Sequence, residues 1–165
     1  KFLGNILIDS AEALEHLHDS GYLHYDFKPE NILVSRNGNI RLVDFDLSRP
    51  LPEKPIRMPD NPGTPVYMAP EQLRGREIDQ RMEIFAYGVT AYELLTGQKP
   101  FNGETSRDVL RSQKERGSFA SPRDLNPAIP SKVEKIVQRC IEWEPDRRYP
   151  HISFLTHDLK TALYV

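Results

Sequence analysis

His24-Tyr25-Asp26-Phe27-Lys28-Pro29-Glu30-Asn31 leads directly into Ile32-Leu33-Val34-Ser35-Arg36-Asn37-Gly38-Asn39-Ile40-Arg41-Leu42-Val43 and then Asp44-Phe45-Asp46. The first part reads as a polar loop. The middle holds two β-type runs, Ile32 to Val34 and Ile40 to Val43, separated by Asn37-Gly38. That dipeptide favours a two-residue hairpin turn, because both turn positions need positive φ. A hairpin is predicted there, and it brings its two ends, Asn31 and Asp44, together.

Upstream, Leu3, Leu7, Ala11, Leu14 and His18, flanked by Phe2, Ile6 and Leu17, recur at three- and four-residue spacing over 2–19, an amphipathic helix that Gly21 ends. A short apolar-aromatic run follows from Tyr22 to Tyr25. Downstream, the stretch from Pro50 to Pro70 holds seven of the fourteen prolines and no apolar periodicity. It suits neither a regular helix nor a central strand, so a long functional loop is expected. Helical patterning resumes with Ile84, Phe85, Val89, Tyr92, Leu94 and Leu95, apolar on most sides and therefore buried, and Gly97 and Pro100 close it. Weaker helices are expected at about 105–116, 131–142 and 151–163.

The 165 residues suit one core and one domain, and 38% hydrophobic with 28% charged residues fits a globular chain. With 22 basic against 24 acidic residues the formal net charge is -2, which argues against nucleic acid and anionic membrane as partners. The single Cys140 excludes an internal disulfide and a multi-cysteine zinc site, and fits a reducing, cytoplasmic setting. On the apolar face of a helix it reads as a small buried hydrophobe rather than a nucleophile. No apolar run approaches membrane-spanning length, so no membrane contact is expected from this segment, and an anchor elsewhere in a parent protein stays open. Residue 1 is Lys, with a helical pattern already running by Phe2, so the chain is read as a piece of a longer protein.

The segments His24 to Asn31, Asp44-Phe45-Asp46 and Gly63-Thr64-Pro65-Val66-Tyr67-Met68-Ala69-Pro70-Glu71 resemble, in order and spacing, the catalytic loop, metal-binding triplet and peptide-positioning segment of protein kinases. Glu83 to Phe101 resembles the family's buried central helix and Cys140 to Pro150 its closing arginine motif. The resemblance covers essentially the whole chain, but only the larger lobe of the domain. It implies an α+β, mostly α fold: a kinase C-terminal lobe over 1–165, helical, with a small β-hairpin carrying the catalytic and metal-binding loops, and without its N-terminal lobe.

Phosphoryl transfer needs mainly a group to orient the attacking hydroxyl and cations to spread charge on the moving phosphoryl group. The resemblance makes Asp26 the base, Lys28 the γ-phosphate contact, and Asn31 and Asp44 the oxygen ligands of Mg²⁺. Lys28 and Thr64 are what serine/threonine-directed members carry. ATP would be cradled by Lys28, Glu30, Asn31, Leu33 and Asp44, with Leu33 beneath the adenine and a protein Ser or Thr hydroxyl as acceptor. Taken singly, Asp26 with Lys28 is an ordinary surface ion pair, Asn31 a turn residue and Asp44 a strand-end cap. Jointly, in order and within recognisable flanks, they are a site. His24 is a packed scaffold by resemblance, whereas His16, His18, His151 and His157 lack ligand-like clustering. Glu71 and Arg148 are expected to form a largely buried ion pair.

Four features depart from the family. Nothing before residue 1 supplies a glycine-rich loop, a strand lysine or its glutamate partner, so the chain alone is expected to be inactive. Tyr25 stands where regulated members have arginine, Asp46 where the metal triplet has glycine, and Glu83 where a buried aspartate is usual. These departures keep a second reading open, a pseudokinase serving as an interaction scaffold; a small-molecule phosphotransferase is disfavoured by the Gly63 to Glu71 segment. Asp60 sits where many members carry a phosphorylated residue, and without the arginine at position 25 it is expected to gain little there. Activity independent of loop phosphorylation, with the loop ordered by its own prolines, is the expectation. Leu125 to Pro130 and Arg148-Tyr149-Pro150 look more like bacterial serine/threonine kinases than animal ones.

Overall fold

A computed structural model describes residues 2–115 and 119–164. Its elements wrap around α3 (Arg81–Thr96), in which every residue from Met82 to Tyr92 is buried. A helix apolar on most sides cannot sit at a surface, and this one is the axis of the core. Gly97, in the left-handed conformation at φ 75°, closes it. α6 (Ser131–Cys140) crosses α3 at Gly88, where a Cβ would lie 2.5 Å from the Cys140 Cβ and 2.7 Å from Ile141 Cγ2. Glycine allows that close crossing. Cys140 is fully buried there, and burial pushes its thiol pKa up, so it behaves as the small hydrophobe expected.

α1 (Phe2–Asp19) and α7 (Ile152–Leu163) pack together on one flank, and the Tyr87 hydroxyl of α3 donates to the Leu7 carbonyl of α1 at 2.5 Å. α4 runs from Ser106 to Lys114, its N-terminus capped by the Thr105 side chain accepting from Asp108 N–H. The expected end of that helix at 116 lies outside the described residues. The four-residue helices α2 (Pro70–Leu73) and α5 (Pro122–Leu125) are too short to show a period and went unexpected.

Among the described residues, three two-stranded antiparallel pairs complete an α+β fold that is mostly helical. β2 (Ile32–Val34) and β3 (Ile40–Leu42) form the predicted hairpin, with Ile32 opposite Leu42. Its turn differs from the two-residue expectation. Ser35 N–H donates to the Asn39 carbonyl and Gly38 N–H to the Ser35 carbonyl, leaving Arg36, Asn37 and Gly38 at the tip. Only Gly38 there has positive φ, at 84°. This is a three-residue turn with glycine in the left-handed position, which needs one such residue rather than two.

The proline-rich stretch is a loop, as expected, but stitched down at intervals. β4 (Arg49–Pro50) pairs with β1 (Tyr22–Leu23), and β5 (Ile56–Arg57) with β6 (Glu77–Ile78). Single prolines fit such short edge pairs, and Pro65 and Pro70 open a 3-10 turn (Pro65–Tyr67) and α2, where a missing N–H costs nothing.

Candidate active site

The catalytic-loop segment hangs from one buried carboxylate. Glu83, on the first turn of α3, accepts from His24 N–H and Tyr25 N–H, both at 2.8 Å, and pairs with the buried His18 Nε2 at 2.9 Å. Burial alone would raise its pKa, but the His18 imidazole and the two backbone N–H groups outweigh that and hold it below the usual carboxylate value. The extra methylene relative to aspartate is thus accommodated with both loop bonds intact. Tyr25 takes a left-handed φ of 74°, a conformation costing a bulky residue roughly 1–3 kcal/mol. The Glu83 bond to its N–H helps to hold that geometry.

His24 links the loop to the strand before the metal triplet. Its Nδ1 accepts from Asp26 N–H at 3.2 Å, so Nε2 carries the proton and donates to the Val43 carbonyl at 2.9 Å. Val43 N–H donates in turn to the Asn31 carbonyl at 3.0 Å. The hairpin thus joins Asn31 to Val43, the residue before Asp44, at its base.

Asp26, Lys28 and Thr64 form one cluster. Thr64 Oγ1 donates to Asp26 Oδ1 at 3.0 Å and accepts from Lys28 Nζ at 2.8 Å, while Lys28 Nζ stands 3.5 Å from Asp26 Oδ2. Asn31 Nδ2 donates to the Asp26 carbonyl at 2.7 Å, and because only the amide nitrogen can donate there, Asn31 Oδ1 is left as a free acceptor. Asp44, at φ 60°, is exposed and makes no hydrogen bond or ion pair among the described residues. A carboxylate and an amide oxygen without protein partners are hard oxygen donors of the kind that would suit Mg²⁺. Glu30 is exposed in the 3-10 turn Pro29–Asn31, and Leu33 is 53% exposed on β2. Asp46 has ordinary negative φ, so its Cβ is unstrained in this arrangement.

The segment 63–71 is tied to the rest by Tyr67, whose hydroxyl donates to Glu93 Oε2 at 2.6 Å, and by Glu71. Burial and the Glu93 carboxylate push the Tyr67 pKa up. Arg148, 1% exposed, gives Glu71 a bidentate pair at 2.6 and 2.9 Å and donates its other three N–H groups to the Glu142, Trp143 and Arg81 carbonyls. Every donor of the fork is satisfied, the condition under which a buried cation is tolerated.

The sequence reading missed Arg49. It makes two 2.8 Å bonds to Asp60, which is therefore paired from a residue other than the one at position 25 and is not a free, solvated loop carboxylate. A lone arginine among prolines carries no signal of its partner.

The sequence profile of the protein kinase domain matches residues 2–159. The chain belongs to the protein kinase family. It is 33% identical over 159 residues to the serine/threonine-protein kinase PrkC of Bacillus subtilis and 36% over 168 residues to the serine/threonine-protein kinase Pkn1 of Myxococcus xanthus, covering 96% of this chain and 24% of the relative in each case. It is also 33% identical over 169 residues to the tyrosine-protein kinase MasK of Myxococcus xanthus, covering 96% of this chain and 26% of that protein. The chain thus spans about a quarter of the length of these curated relatives. Among the described residues no helix of this kinase segment is long and apolar enough to cross a membrane.

Proposed function

We propose that this kinase segment carries the catalytic residues for transferring the ATP γ-phosphate to serine or threonine hydroxyls of proteins, working as the C-terminal lobe of a complete kinase domain. The observation that carries this reading is the Asp26, Lys28 and Thr64 cluster, with Asn31 bonded to Asp26 and, through Val43 N–H, to the strand end that leads into Asp44. Thr64 occupies Asp26 Oδ1, and the nearest donors to Oδ2, Lys28 Nζ and Asn31 Nδ2, stand at a long 3.5 Å. Oδ2 is thus the oxygen free to orient the substrate hydroxyl and take its proton as the oxygen–phosphorus bond forms and the bond to ADP breaks. Lys28 lies on the same side and suits the γ-phosphate. Mg²⁺, when bound, neutralises phosphate charge, and Asn31 and Asp44 are the residues that would hold it.

Thr64 and Lys28 together favour serine and threonine over tyrosine as acceptors. The test is phosphoamino-acid analysis after incubating the full-length protein with labelled MgATP and a protein substrate. Phosphoserine or phosphothreonine is expected. Phosphotyrosine as the main product would overturn the acceptor assignment, and no label at all would favour a scaffold.

A further inference from the structure

Arg49 is fixed from the catalytic-loop side. It lies opposite Leu23 in the β1–β4 pair, the preceding Ser48 hydroxyl donates to the Leu23 carbonyl at 2.7 Å, and Leu51 N–H donates to the Gly21 carbonyl at 2.8 Å. From that mount its guanidinium lies 5.4 Å from the centroid of the Tyr25 ring and closes on Asp60 through Nη1 to Oδ1 and Nη2 to Oδ2. A fork-to-carboxylate pair backed by an aromatic face is the arrangement for which arginine is suited and lysine is not.

Asp60 stands three residues before Gly63, where a Cβ would lie 2.9 Å from the Tyr25 carbonyl oxygen and 3.9 Å from Asp26 Oδ1. Thr64, next in the chain, bonds both Asp26 and Lys28. The pair therefore pins the loop just before it enters the active site. Between Phe45 and Gly63 the only hydroxyl side chain is Ser48, already committed to Leu23. We propose that Arg49 and Asp60, backed by Tyr25, are a positioning pair: a permanent electrostatic clasp that seats Thr64 against Asp26 and holds the loop in its working arrangement without phosphorylation. The proposal rests on the phosphotransfer reading for its effect on rate, but its geometry can be tested apart from it.

With side chains 31% and 55% exposed, the pair adds little to global stability, and its effect falls on the order of the loop it closes. The experiment uses the full-length protein with Asp60→Asn, Arg49→Gln and the charge exchange Arg49→Asp with Asp60→Arg. It reads kcat, KM for ATP, and hydrogen exchange of the amides from 56 to 64. Each single substitution should lower kcat by about tenfold, leave KM for ATP within about twofold, and speed exchange across the loop. The exchanged pair should recover most of the rate and slow the amides again, and phosphatase treatment should leave the unmutated rate unchanged. Single variants matching the unmutated protein in rate and exchange would overturn the proposal, as would a charge exchange no better than either single, or a rate lost to phosphatase. If the unmutated protein transfers no phosphate, the phosphotransfer reading falls, and the exchange rates of the four proteins still decide the clasp.

Discussion

Glu83 carries the catalytic loop on a carboxylate that must stay charged. Its pKa is depressed in the folded chain, so it contributes stability that is present above the unfolded value of about 4.3 and is lost as pH falls through the lower folded value. Glu83→Gln should therefore be less stable than the unmutated protein at pH 7, with the gap narrowing as pH drops below about 4.3; thermal melts at several pH values check this. A constant gap would mean that the carboxylate's charge is not what holds His24 and Tyr25. Residue type and order were enough to single out Asp26, Lys28, Asn31 and Thr64 as one candidate cluster, and these four do come together through hydrogen bonds. The site was illegible where meaning depends on a partner far away in sequence. Asp60 stood out by its place before Gly63, but Arg49 did not, and only the β1–β4 pairing that mounts Arg49 brings it within reach of Asp60.

Between elements, close approach and charge do the joining. Gly88→Ala would drive a Cβ into Cys140 and Ile141, and overpacking of this kind costs typically ~1–3 kcal/mol. A fall of about 2–4 °C per kcal/mol is expected in a melt, and an unchanged midpoint would mean that α6 moves aside without cost. Arg148 ties α2 and the start of α3 to the C-terminal turns through five hydrogen bonds. Arg148→Ala strands Glu71 in the interior, with an expected loss of about 3–5 kcal/mol by denaturant titration. The long helices and the hairpin were readable because their periods extend over enough residues to be seen. The hairpin's three-residue turn was not, since Asn-Gly serves both turn lengths, and two-residue pairs such as β4 and β5 have no period at all.

For the whole molecule, the reading proposed above puts ATP near the hairpin, and there Leu33 and Phe45 are both exposed. A nucleotide site normally buries most of its ligand, so this 165-residue chain alone should bind ATP far more weakly than the full-length protein does by calorimetry. Equal, stoichiometric binding by both would show that the chain alone suffices. If the Asp26 cluster and the Asp44 carboxylate perform phosphoryl transfer, as proposed above, label transfer from γ-labelled ATP by the full-length protein should depend on both. Asp26→Ala and Asp44→Asn are each expected to abolish turnover in a protein that circular dichroism finds folded; transfer at the unmutated rate in both variants would show that these residues do not carry the reaction.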